Sequence, residues 1–317
     1  MVKGEGMGIK ALLTYSYKYN DEQIYKVRKL GYDVLLCKNE LEPLSSELFD
    51  CEVVVCNGLF LNNDIKKFSN IKMVQLTSSG LDRVPVDEIK KRGVLLCNAK
   101  GIFSVPMSEW VILKILEIYK CTRFFEEGQR RLEWVKNRNL LELNGKTIGI
   151  IGTGSVGVEV AKRLQAFDCT VLGLNTRGVI ENYFDNCMSV KSLSLFLSNC
   201  DVIVLTLPLT NKTQKLINKD TLPFMKDDAV LINVSRGGII NEEDLLAHLN
   251  NGKLRGVALD VFEQEPLPIN NSLWKHERVL ATPHNSFASD NISSRMFDLI
   301  YENLKAFIEN EPLKNQV

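Results

Sequence analysis

The chain contains 317 residues, with 39 acidic and 39 basic side chains. This length suits two domains better than one hydrophobic core. The balanced charge argues against a nucleic-acid footprint or a membrane-surface protein, which usually need a basic excess, so a small molecule is the expected partner. No apolar run is long enough to cross a bilayer, and residues 1–10 lack the charged-then-apolar pattern of a signal peptide. The sequence predicts a cytoplasmic protein whose first residues, Met1–Gly8, are disordered or precede an alternative start.

Cysteine and histidine usage argues against a metal centre. The eight cysteines lie mostly inside or beside apolar runs, as Cys56 and Cys97 do, and no two of them form a C-x-x-C pair. They are expected to be small buried hydrophobic residues in a reducing compartment. Because the chain has only three histidines, His248, His276 and His284, a histidine-rich metal site is not expected.

The first part of the chain, residues 9–98, alternates short apolar runs with helical patterns. One helical stretch runs from Asp21 to Leu30, where Ile24, Val27 and Leu30 share a face. The runs with strand character are Ala11–Tyr15, Asp33–Cys37, Val53–Cys56, Met73–Thr77 and Val94–Cys97. Such alternation predicts βαβ units and a parallel sheet.

The stretch Thr77-Ser78-Ser79-Gly80 directly follows one of these strands. Ligands collect beyond the carboxyl ends of strands in open parallel sheets, so this stretch is a candidate for anion binding through backbone amides. A simple turn explains the same spacing equally well. The sequence leaves both interpretations open.

A long helical pattern runs from Ser104 to Phe125, with Pro106 in its first turn. This helix is expected to connect the two domains. The charged segment that follows, Glu126–Leu143, contains Trp134. Two interpretations fit this segment equally well: an arm that packs on another subunit, or an exposed loop with one buried tryptophan.

The stretch from Lys146 to Leu164 combines a strand, a glycine-rich turn and a helix. Gly152, Gly154 and Gly157 follow the G-x-G-x-x-G spacing. The first glycine permits a tight turn, the second lets the backbone approach a pyrophosphate, and the third lets the helix pack closely on its strand. The free amides and the positive dipole end of the helix favour the same anion. Dinucleotide binding therefore explains this stretch better than a purely structural turn.

A second βα series extends from Thr147 to Pro283. After the first strand, its apolar runs are Thr170–Leu174, Val202–Leu207, Ala229–Val234, Val257–Val261 and Val279–Ala281, with helical patterns such as Glu242–Leu249 between them. This order predicts a doubly wound dinucleotide-binding domain. The last helical segment, Ala288–Asn310, could fold back on the first domain, which would make that domain discontinuous.

The end of the second strand of this series bears on cofactor choice. In dinucleotide-binding units an acidic residue about 20 positions after the glycines binds the adenosine ribose hydroxyls. Here the strand is followed by Asn175, Thr176 and Arg177. Asn175 replaces the acidic residue that would disfavour a 2′-phosphate, and Arg177 can supply a cation for one. We therefore predict that NADP(H) is preferred, with NAD(H) also possible.

Three polar side chains follow the last three strands. Arg236 comes just after one strand, Asp260 and Glu265 follow the next, and His284 follows the last. All three segments are expected at the ligand-binding edge of one sheet. Ordinary surface roles for these side chains do not explain why all of them follow strands of the same sheet. The pattern indicates an active site.

These stretches resemble the D-isomer-specific 2-hydroxyacid dehydrogenase family over nearly the whole chain. The matching residues are Gly152-Thr153-Gly154-Ser155-Val156-Gly157, Leu207-Pro208-Leu209-Thr210, Asn233-Val234-Ser235-Arg236-Gly237, Asp260–Pro266 and Thr282-Pro283-His284. The resemblance implies α/β architecture with two doubly wound parallel-sheet domains. These are a Rossmann cofactor domain, residues 102–284, and a discontinuous flavodoxin-like substrate domain, residues 1–101 and 285–317. It also implies an active site in the cleft between the domains and a homodimer formed through the cofactor domains.

The family's functional residues can be placed on the matching positions. The implied catalytic residues are Arg236, Glu265 and His284. The implied cofactor contacts are Gly152, Thr153, Gly154, Ser155, Val156, Gly157, Asn175, Thr176, Arg177, Leu207, Pro208, Thr213, Val234, Ser235, Asp260 and His284. The implied substrate contacts are Ser79, Gly80, Arg236 and His284. In this assignment the backbone amides of Ser79 and Gly80 hold the substrate carboxylate, and Asp260 contacts the nicotinamide carboxamide.

The chemistry of these side chains suits the reduction of a 2-keto acid. That reaction needs a hydride from nicotinamide, a proton for the developing alkoxide and a positive charge near the carboxylate. His284 is the expected general acid, because an imidazole ordinarily has a pKa of about 6.5. Glu265 would orient the ring and favour its protonated form. Arg236 would bind the carboxylate and keto oxygen through its guanidinium donors.

Some positions depart from the family pattern and leave the particular 2-hydroxy acid undetermined. Family members commonly continue Ile-Gly after the histidine, whereas Asn285-Ser286-Phe287 follows here. One alternative function is a formate dehydrogenase, which is disfavoured because Glu265, and not an amide, can pair with His284. The other is a dinucleotide-sensing, corepressor-type binding protein, although no peptide-binding extension is evident.

Overall fold

The structure is a computed structural model that describes residues 8–317. The expectation for Met1–Gly8 therefore falls, apart from Gly8, outside the described residues. The chain divides into two compact units. One ends at Ile102 and resumes over Ser289–Val317, and the other is Phe103–Ala288. The division expected from the sequence has its boundaries after residues 101 and 284.

A five-stranded parallel sheet forms the first unit. Its strands and first two helices are β1 (Ile9–Thr14), α1 (Asp21–Lys29), β2 (Tyr32–Cys37), β3 (Val53–Cys56), β4 (Met73–Leu76), α2 (Val86–Lys91) and β5 (Leu95–Cys97). The strand order is β2-β1-β3-β4-β5, which is the flavodoxin-like order. The predicted parallel sheet is confirmed. Its order reverses between β1 and β3, and in such sheets ligands bind beyond the carboxyl ends of the strands at this switch point.

Helix α1 shows how the local sequence determines one of these elements. The Asn20 side chain accepts a hydrogen bond from the Gln23 N–H, and the Gln23 side chain accepts one from the Asn20 N–H. This reciprocal capping box fixes the start of the helix. Ile24 and Val27 are buried, and Leu30, predicted on the same face, is half-buried just past the last turn.

Seven parallel strands form the sheet of the second unit. Its elements are α3 (Ser104–Tyr119), α4 (Thr122–Arg130), β6 (Thr147–Ile151), α5 (Ser155–Leu164), β7 (Thr170–Asn175), β8 (Asn186–Ser189), α6 (Leu193–Asn199), β9 (Val202–Leu205), β10 (Val230–Asn233), α7 (Glu242–Asn250), β11 (Gly256–Leu259) and β12 (Val279–Ala281). The order is β12-β11-β10-β9-β6-β7-β8. The chain adds β7 and β8 on one side of β6 and then returns to β9 on the other. The switch point therefore lies between β6 and β9, and the predicted doubly wound fold is confirmed.

Both faces of this second sheet are covered. Along β9, Val202 and Val204 belong to one buried cluster, whereas Ile203 and Leu205 belong to another. Successive side chains of a strand point to opposite faces, so a continuous apolar run is what a sheet covered on both faces requires. This explains why β9 was recognisable from its sequence.

The C-terminal helix, α8 (Ile292–Glu309), packs on the first unit. Asn303 is 1% exposed; its Nδ2 donates to Gln75 Oε1 and to the Lys314 carbonyl, and its Oδ1 accepts from the Lys314 N–H. The buried Tyr32 hydroxyl donates to the Leu304 carbonyl. These buried bonds join sequence-distant segments into one unit.

The prediction of a single long helix from Ser104 to Phe125 is wrong. Helix α3 ends at Tyr119, and α4 begins at Thr122. Between them Cys121 adopts a left-handed conformation with φ of 51°, which interrupts the helical hydrogen-bond ladder. The apolar periodicity continues across this break and no glycine marks it, so the sequence pattern did not reveal it.

The segment after α4 exposes large apolar side chains. Trp134 is 96% exposed and Leu132 is 94% exposed. The alternative that predicted a buried tryptophan in this loop is therefore wrong. Strand β8 was not predicted, because Asn186–Ser189 is an edge strand without an apolar run.

The eight cysteines are buried or half-buried. Six cysteines are buried, Cys121 and Cys169 are half-buried, and all eight are free thiols. Burial raises the pKa of the Cys200 thiol to about 12, which makes it a poor nucleophile. Across residues 8–317, none of the helices combines the length and the apolar character needed to cross a membrane.

Replacing Asn303 with alanine is expected to destabilise the first unit. The substitution leaves the Gln75 side chain and the Lys314 backbone without their buried partner, at a cost of about 3 kcal/mol in the free energy of unfolding. Chemical denaturation measures this value. Asn291→Ala, at an exposed position just before the same helix, is the control and should change stability by no more than about 0.5 kcal/mol. Equal stability of the two variants would contradict the prediction.

Candidate active site

The glycine-rich turn lies at the switch point of the second sheet. Gly152 has φ of 101°, and a Cβ added there would lie 2.8 Å from the Leu207 backbone nitrogen. A Cβ on Gly157 would lie 2.3 Å from the Gly152 carbonyl oxygen, whereas one on Gly154 would meet nothing within 4 Å. The first and third glycines are thus required by close packing, and the second leaves open space above the turn.

Open space at this turn fits a dinucleotide pyrophosphate. Helix α5 begins at Ser155, directly after Gly154, and the amides in the first turn of a helix have no partner within the helix. Its dipole also favours an anion there. The Thr206 hydroxyl donates to the Gly152 carbonyl at 2.6 Å, which fixes the turn against the segment that follows β9. Ser155 and Val156 are half-buried, as Thr153 is.

Asn175 organises the turn at the end of β7. Its Oδ1 accepts hydrogen bonds from the N–H groups of Arg177, Gly178 and Val179. Its Nδ2 donates to Thr153 Oγ1 and to the Val179 carbonyl. Both polar atoms of this side chain are therefore engaged with the protein. Thr176 and Arg177 are exposed.

A second turn follows β9 and includes three of the predicted cofactor contacts. Leu207 is buried and Pro208 is exposed. The Thr213 hydroxyl donates to the Pro208 carbonyl at 2.7 Å and accepts from the Thr210 N–H at 2.7 Å. Thr213 therefore closes this turn.

Asn233 shapes the turn that carries the arginine. It is fully buried; its Oδ1 accepts from the N–H and the hydroxyl of Ser235, and its Nδ2 donates to the Arg236 carbonyl. Val234 and Ser235 are buried, whereas Arg236 is half-buried. Arg236 Nη1 donates to the Ser235 carbonyl at 2.8 Å. No separate role was predicted for Asn233, although its position at a strand end was an available signal.

The turns after β10 and β11 pack against each other. A Cβ on Gly237 would lie 1.8 Å from the Phe262 carbonyl carbon, a distance that no side chain can occupy. Only glycine permits this approach. It places the segment of Arg236 beside the segment that leads to Glu265.

The side chains of Glu265 and His284 are hydrogen-bonded to each other. Glu265 Oε2 lies 2.7 Å from His284 Nδ1, and Glu265 Oε1 accepts from the Phe262 N–H at 3.0 Å. A carboxylate can only accept, so Nδ1 carries a hydrogen and Nε2 is the other reactive atom of the ring. The His284 side chain is 39% exposed. The hydrogen bond to Glu265 therefore orients the ring, and the exposed part of the ring is accessible to a reactant.

Asp260 holds the segment that carries His284. Its carboxylate is fully buried and accepts hydrogen bonds from the Thr282 hydroxyl and the N–H groups of Asn285 and Ser286. Its carbonyl accepts from the His284 N–H at 2.7 Å. His284 itself has φ of 49°, in the left-handed region that non-glycine residues seldom adopt. The structure therefore shows Asp260 as an anchor of this segment.

One aromatic ring contacts the histidine, and a second ring contacts the first. Phe287 lies edge-on to His284 with centroids 6.2 Å apart, and Phe103 lies edge-on to Phe287 at 5.8 Å. Phe287 is one of the residues that depart from the family pattern. It provides an apolar surface next to the imidazole.

In the first unit, Ser79 and Gly80 follow β4 as predicted. The Ser79 hydroxyl donates to the Ala99 carbonyl, and the Ser78 hydroxyl donates to the Gly80 carbonyl. Among residues 8–317, the Ser79 and Gly80 N–H groups donate no hydrogen bond. Two unpaired amides at a sheet edge are suited to bind a carboxylate.

Comparisons with known proteins agree with this geometry. The sequence model of the D-isomer specific 2-hydroxyacid dehydrogenase NAD binding domain matches residues 112–286. A glyoxylate reductase from Thermofilum pendens is 36% identical over 251 residues, which cover 76% of this chain and 73% of that protein. The chain belongs to the D-isomer-specific 2-hydroxyacid dehydrogenase family.

Solved structures show the same fold. A D-isomer specific 2-hydroxyacid dehydrogenase family protein from Aeromonas salmonicida subsp. salmonicida is 30% identical, with a TM-score of 0.82 and coverage of 98% of this chain and 99% of that chain. A family member from Xanthobacter autotrophicus, in complex with NADPH and MES, is 25% identical, with a TM-score of 0.79 and coverage of 98% of each chain. The protein is therefore an oxidoreductase that transfers hydride between a nicotinamide cofactor and a 2-hydroxy acid. The predicted family, fold class and reaction type are confirmed.

Proposed function

We propose that the protein reduces a small 2-keto acid to the D-2-hydroxy acid, with His284 as the proton donor. The observation that carries this proposal is the 2.7 Å bond between His284 Nδ1 and Glu265 Oε2. This bond fixes the orientation of the ring, so that Nε2 can reach a substrate. Glu265 is therefore a positioning residue, and His284 is the catalytic residue.

The proton and the hydride come from different sources. A bound nicotinamide would supply the hydride that reduces the keto carbon. His284 Nε2–H donates its proton to the keto oxygen, which becomes the hydroxyl, and the neutral imidazole accepts that proton in the reverse direction. The Arg236 guanidinium stabilises the negative charge on the substrate.

The substrate carboxylate is assigned to the amides of Ser79 and Gly80. Their N–H groups have no acceptor within residues 8–317, and a carboxylate can accept from both at once. This assignment explains why two consecutive amides follow β4 unpaired. It also limits the substrates to carboxylic acids.

NADP(H) is the cofactor that fits the end of β7 best. An NAD-selective site needs an acceptor for the ribose hydroxyls, and Asn175 Oδ1 already accepts three backbone N–H groups. The exposed Arg177 guanidinium can instead pair with a 2′-phosphate. The NADPH bound by the Xanthobacter autotrophicus relative supports the same choice.

The assembly we propose is a homodimer formed through the second unit. Leu132 and Trp134 are almost fully exposed, and Val135 is 52% exposed. Burying a large apolar side chain contributes about 1.5–3 kcal/mol, so this segment, residues 131–143, gains stability by packing on a second copy of the chain.

The proposal also includes a location and a partner class. A cytoplasmic location is supported by the eight unpaired thiols, which persist in a reducing compartment. The absence of a nucleic-acid partner is supported by the equal numbers of acidic and basic side chains.

The histidine assignment is tested by His284→Gln. Turnover of the preferred 2-keto acid is expected to fall by about 10² or more because the proton donor is lost, while NADPH still binds in a fluorescence titration. His248→Gln, which changes a histidine on α7, is the matched control. For Glu265→Ala, kcat should also fall while NADPH still binds, because the ring loses the acceptor that orients it. Unchanged turnover of the His284 variant would refute the assignment.

The cofactor preference is tested by Arg177→Ala. The wild-type protein should have a higher kcat/KM with NADPH than with NADH, and the variant should lower that ratio about tenfold or more, because a charge-assisted contact to the 2′-phosphate is lost. Lys162→Ala, an exposed cation on α5, should leave the ratio unchanged. A wild-type preference for NADH would contradict the proposed preference for NADP(H).

The dimer is tested by Trp134→Asp combined with Leu132→Asp. Sedimentation equilibrium should give the mass of a dimer for the wild type and of a monomer for the variant, because two charges cannot be buried at the interface. Ile269→Asp is the matched control, since Ile269 is 95% exposed in another loop of the same unit, and it should remain dimeric. A monomeric wild type at micromolar concentration would contradict the proposal.

A further inference from the structure

The turn after β7 packs against the end of the neighbouring strand β8. Asn175 is the register partner of Ser189, so the two parallel strands end side by side, about 4.8 Å apart. Gly178 has φ of 71°, and a Cβ added there would lie 3.1 Å from the Ser189 backbone nitrogen. The backbone next to Arg177 therefore lies directly against the last residue of β8.

Two cationic side chains flank this contact. Arg177 directly precedes Gly178, and Lys191 lies two residues after Ser189. Ser189 Oγ accepts a hydrogen bond from the Lys191 N–H at 3.2 Å, which closes a short 3₁₀ turn over Val190–Ser192. Arg177 and Lys191 are both exposed. Two adjacent strand ends thus present two positive charges within a few residues of one backbone contact.

The protein itself does not neutralise these two cations. Among residues 8–317, the Arg177 guanidinium and the Lys191 ammonium have no hydrogen-bond or ion-pair partner. The segments that carry them, residues 175–179 and 186–192, contain no aspartate or glutamate. Like charges on neighbouring segments repel each other. An anion that binds between the two cations replaces this repulsion with two attractions.

The end of β7 is where a dinucleotide-binding sheet holds the adenosine ribose. The glycine-rich turn after β6 is joined to this strand end, because Asn175 Nδ2 donates to Thr153 Oγ1 at 3.1 Å. β7 lies between β6 and β8 in the sheet. A ribose bound at the end of β7 therefore has the pyrophosphate turn on one side and the end of β8 on the other.

We propose that Lys191 is a second cofactor-specificity residue, which binds the 2′-phosphate of NADP(H) together with Arg177. This inference rests on the proposed cofactor preference and adds a residue from a different strand end. A phosphate monoester carries about two negative charges at neutral pH, since its second pKa is about 6. One guanidinium compensates about half of that charge. A lysine at the adjacent strand end compensates the rest.

The two cations have different roles in this site. The Arg177 N–H donates to Asn175 Oδ1 and the turn packs on β8, so a planar guanidinium is presented from a fixed backbone and can bind two phosphate oxygens. Lys191 has a flexible stem and a point charge, which requires less exact placement. NADH has a hydroxyl in place of the 2′-phosphate. Loss of Lys191 is therefore expected to weaken binding of NADP(H) and to leave binding of NAD(H) unchanged.

The test measures the binding of two nucleotide fragments to the full-length protein by isothermal titration calorimetry. Adenosine 2′,5′-bisphosphate has the 2′-phosphate, and 5′-AMP lacks it. The wild type should bind the bisphosphate at least about tenfold more tightly than 5′-AMP. Lys191→Ala should weaken binding of the bisphosphate about fivefold and change binding of 5′-AMP by less than about twofold. The ratio of kcat/KM for NADPH to that for NADH should fall by a similar factor, through KM for NADPH.

Further variants separate the charge of Lys191 from its packing. Lys191→Arg keeps the charge and should keep most of the preference for the bisphosphate, whereas Lys191→Glu should lower the preference more than Lys191→Ala does. The double variant of Arg177→Ala and Lys191→Ala should lose more of the preference than either single variant. Lys162→Ala is the matched control, because it removes an exposed lysine from the last turn of α5, and it should change neither dissociation constant.

The possible results distinguish this inference from the cofactor preference on which it rests. If Lys191→Ala binds both fragments as the wild type does, while Arg177→Ala loses the preference, the role of Lys191 is overturned and the preference for NADP(H) stands. Equal weakening of both fragments by Lys191→Ala also overturns that role, because the 2′-phosphate would not be involved. A wild type that binds both fragments equally contradicts the preference for NADP(H) and this inference with it.

Discussion

Asp260 is a fully buried carboxylate whose side-chain donors all come from the segment that carries His284. That segment needs such an anchor because His284 has a positive φ, which is unfavourable for a residue with a Cβ. Asp260 fixes the backbone position of the histidine, and Glu265 fixes the orientation of its ring. The proposed proton transfer depends on both.

The same device recurs at other strand ends. Asn233 holds the turn of Arg236, Asn175 holds the turn of Arg177, and Glu40 holds the segment of Asn57. In each case a side chain near a strand end forms hydrogen bonds with the backbone of the turn that follows a strand. It accepts from N–H groups of the turn or donates to a carbonyl of the turn. The turn therefore does not depend on hydrogen bonds between strands. This arrangement lets a rigid parallel sheet present irregular segments at defined positions. Arg177 and Arg236, which are proposed to bind cofactor and substrate, are presented in this way.

The sequence predicted the elements whose identity depends on local pattern. β6, β9 and β10 were recognisable because strands buried on both faces read as apolar runs, and the glycine turn was recognisable from its spacing. The break at Cys121 was not, because apolar periodicity continues through it and a left-handed residue other than glycine has no sequence signal. The edge strand β8 was missed because half of its residues are polar and it lacks a second neighbour.

The sequence alone determined the family, the reaction type and the identity of the side chains at the strand ends, because each of these follows from residue type and spacing along the chain. The tertiary structure decided which of those side chains bind one another. That Glu265 contacts His284 and that Asn175 contacts Thr153 depend on segments separated in sequence and brought together by strand order. Hydrogen bonding is directional and short-ranged, so the partners of a polar group become known only when the fold has placed them.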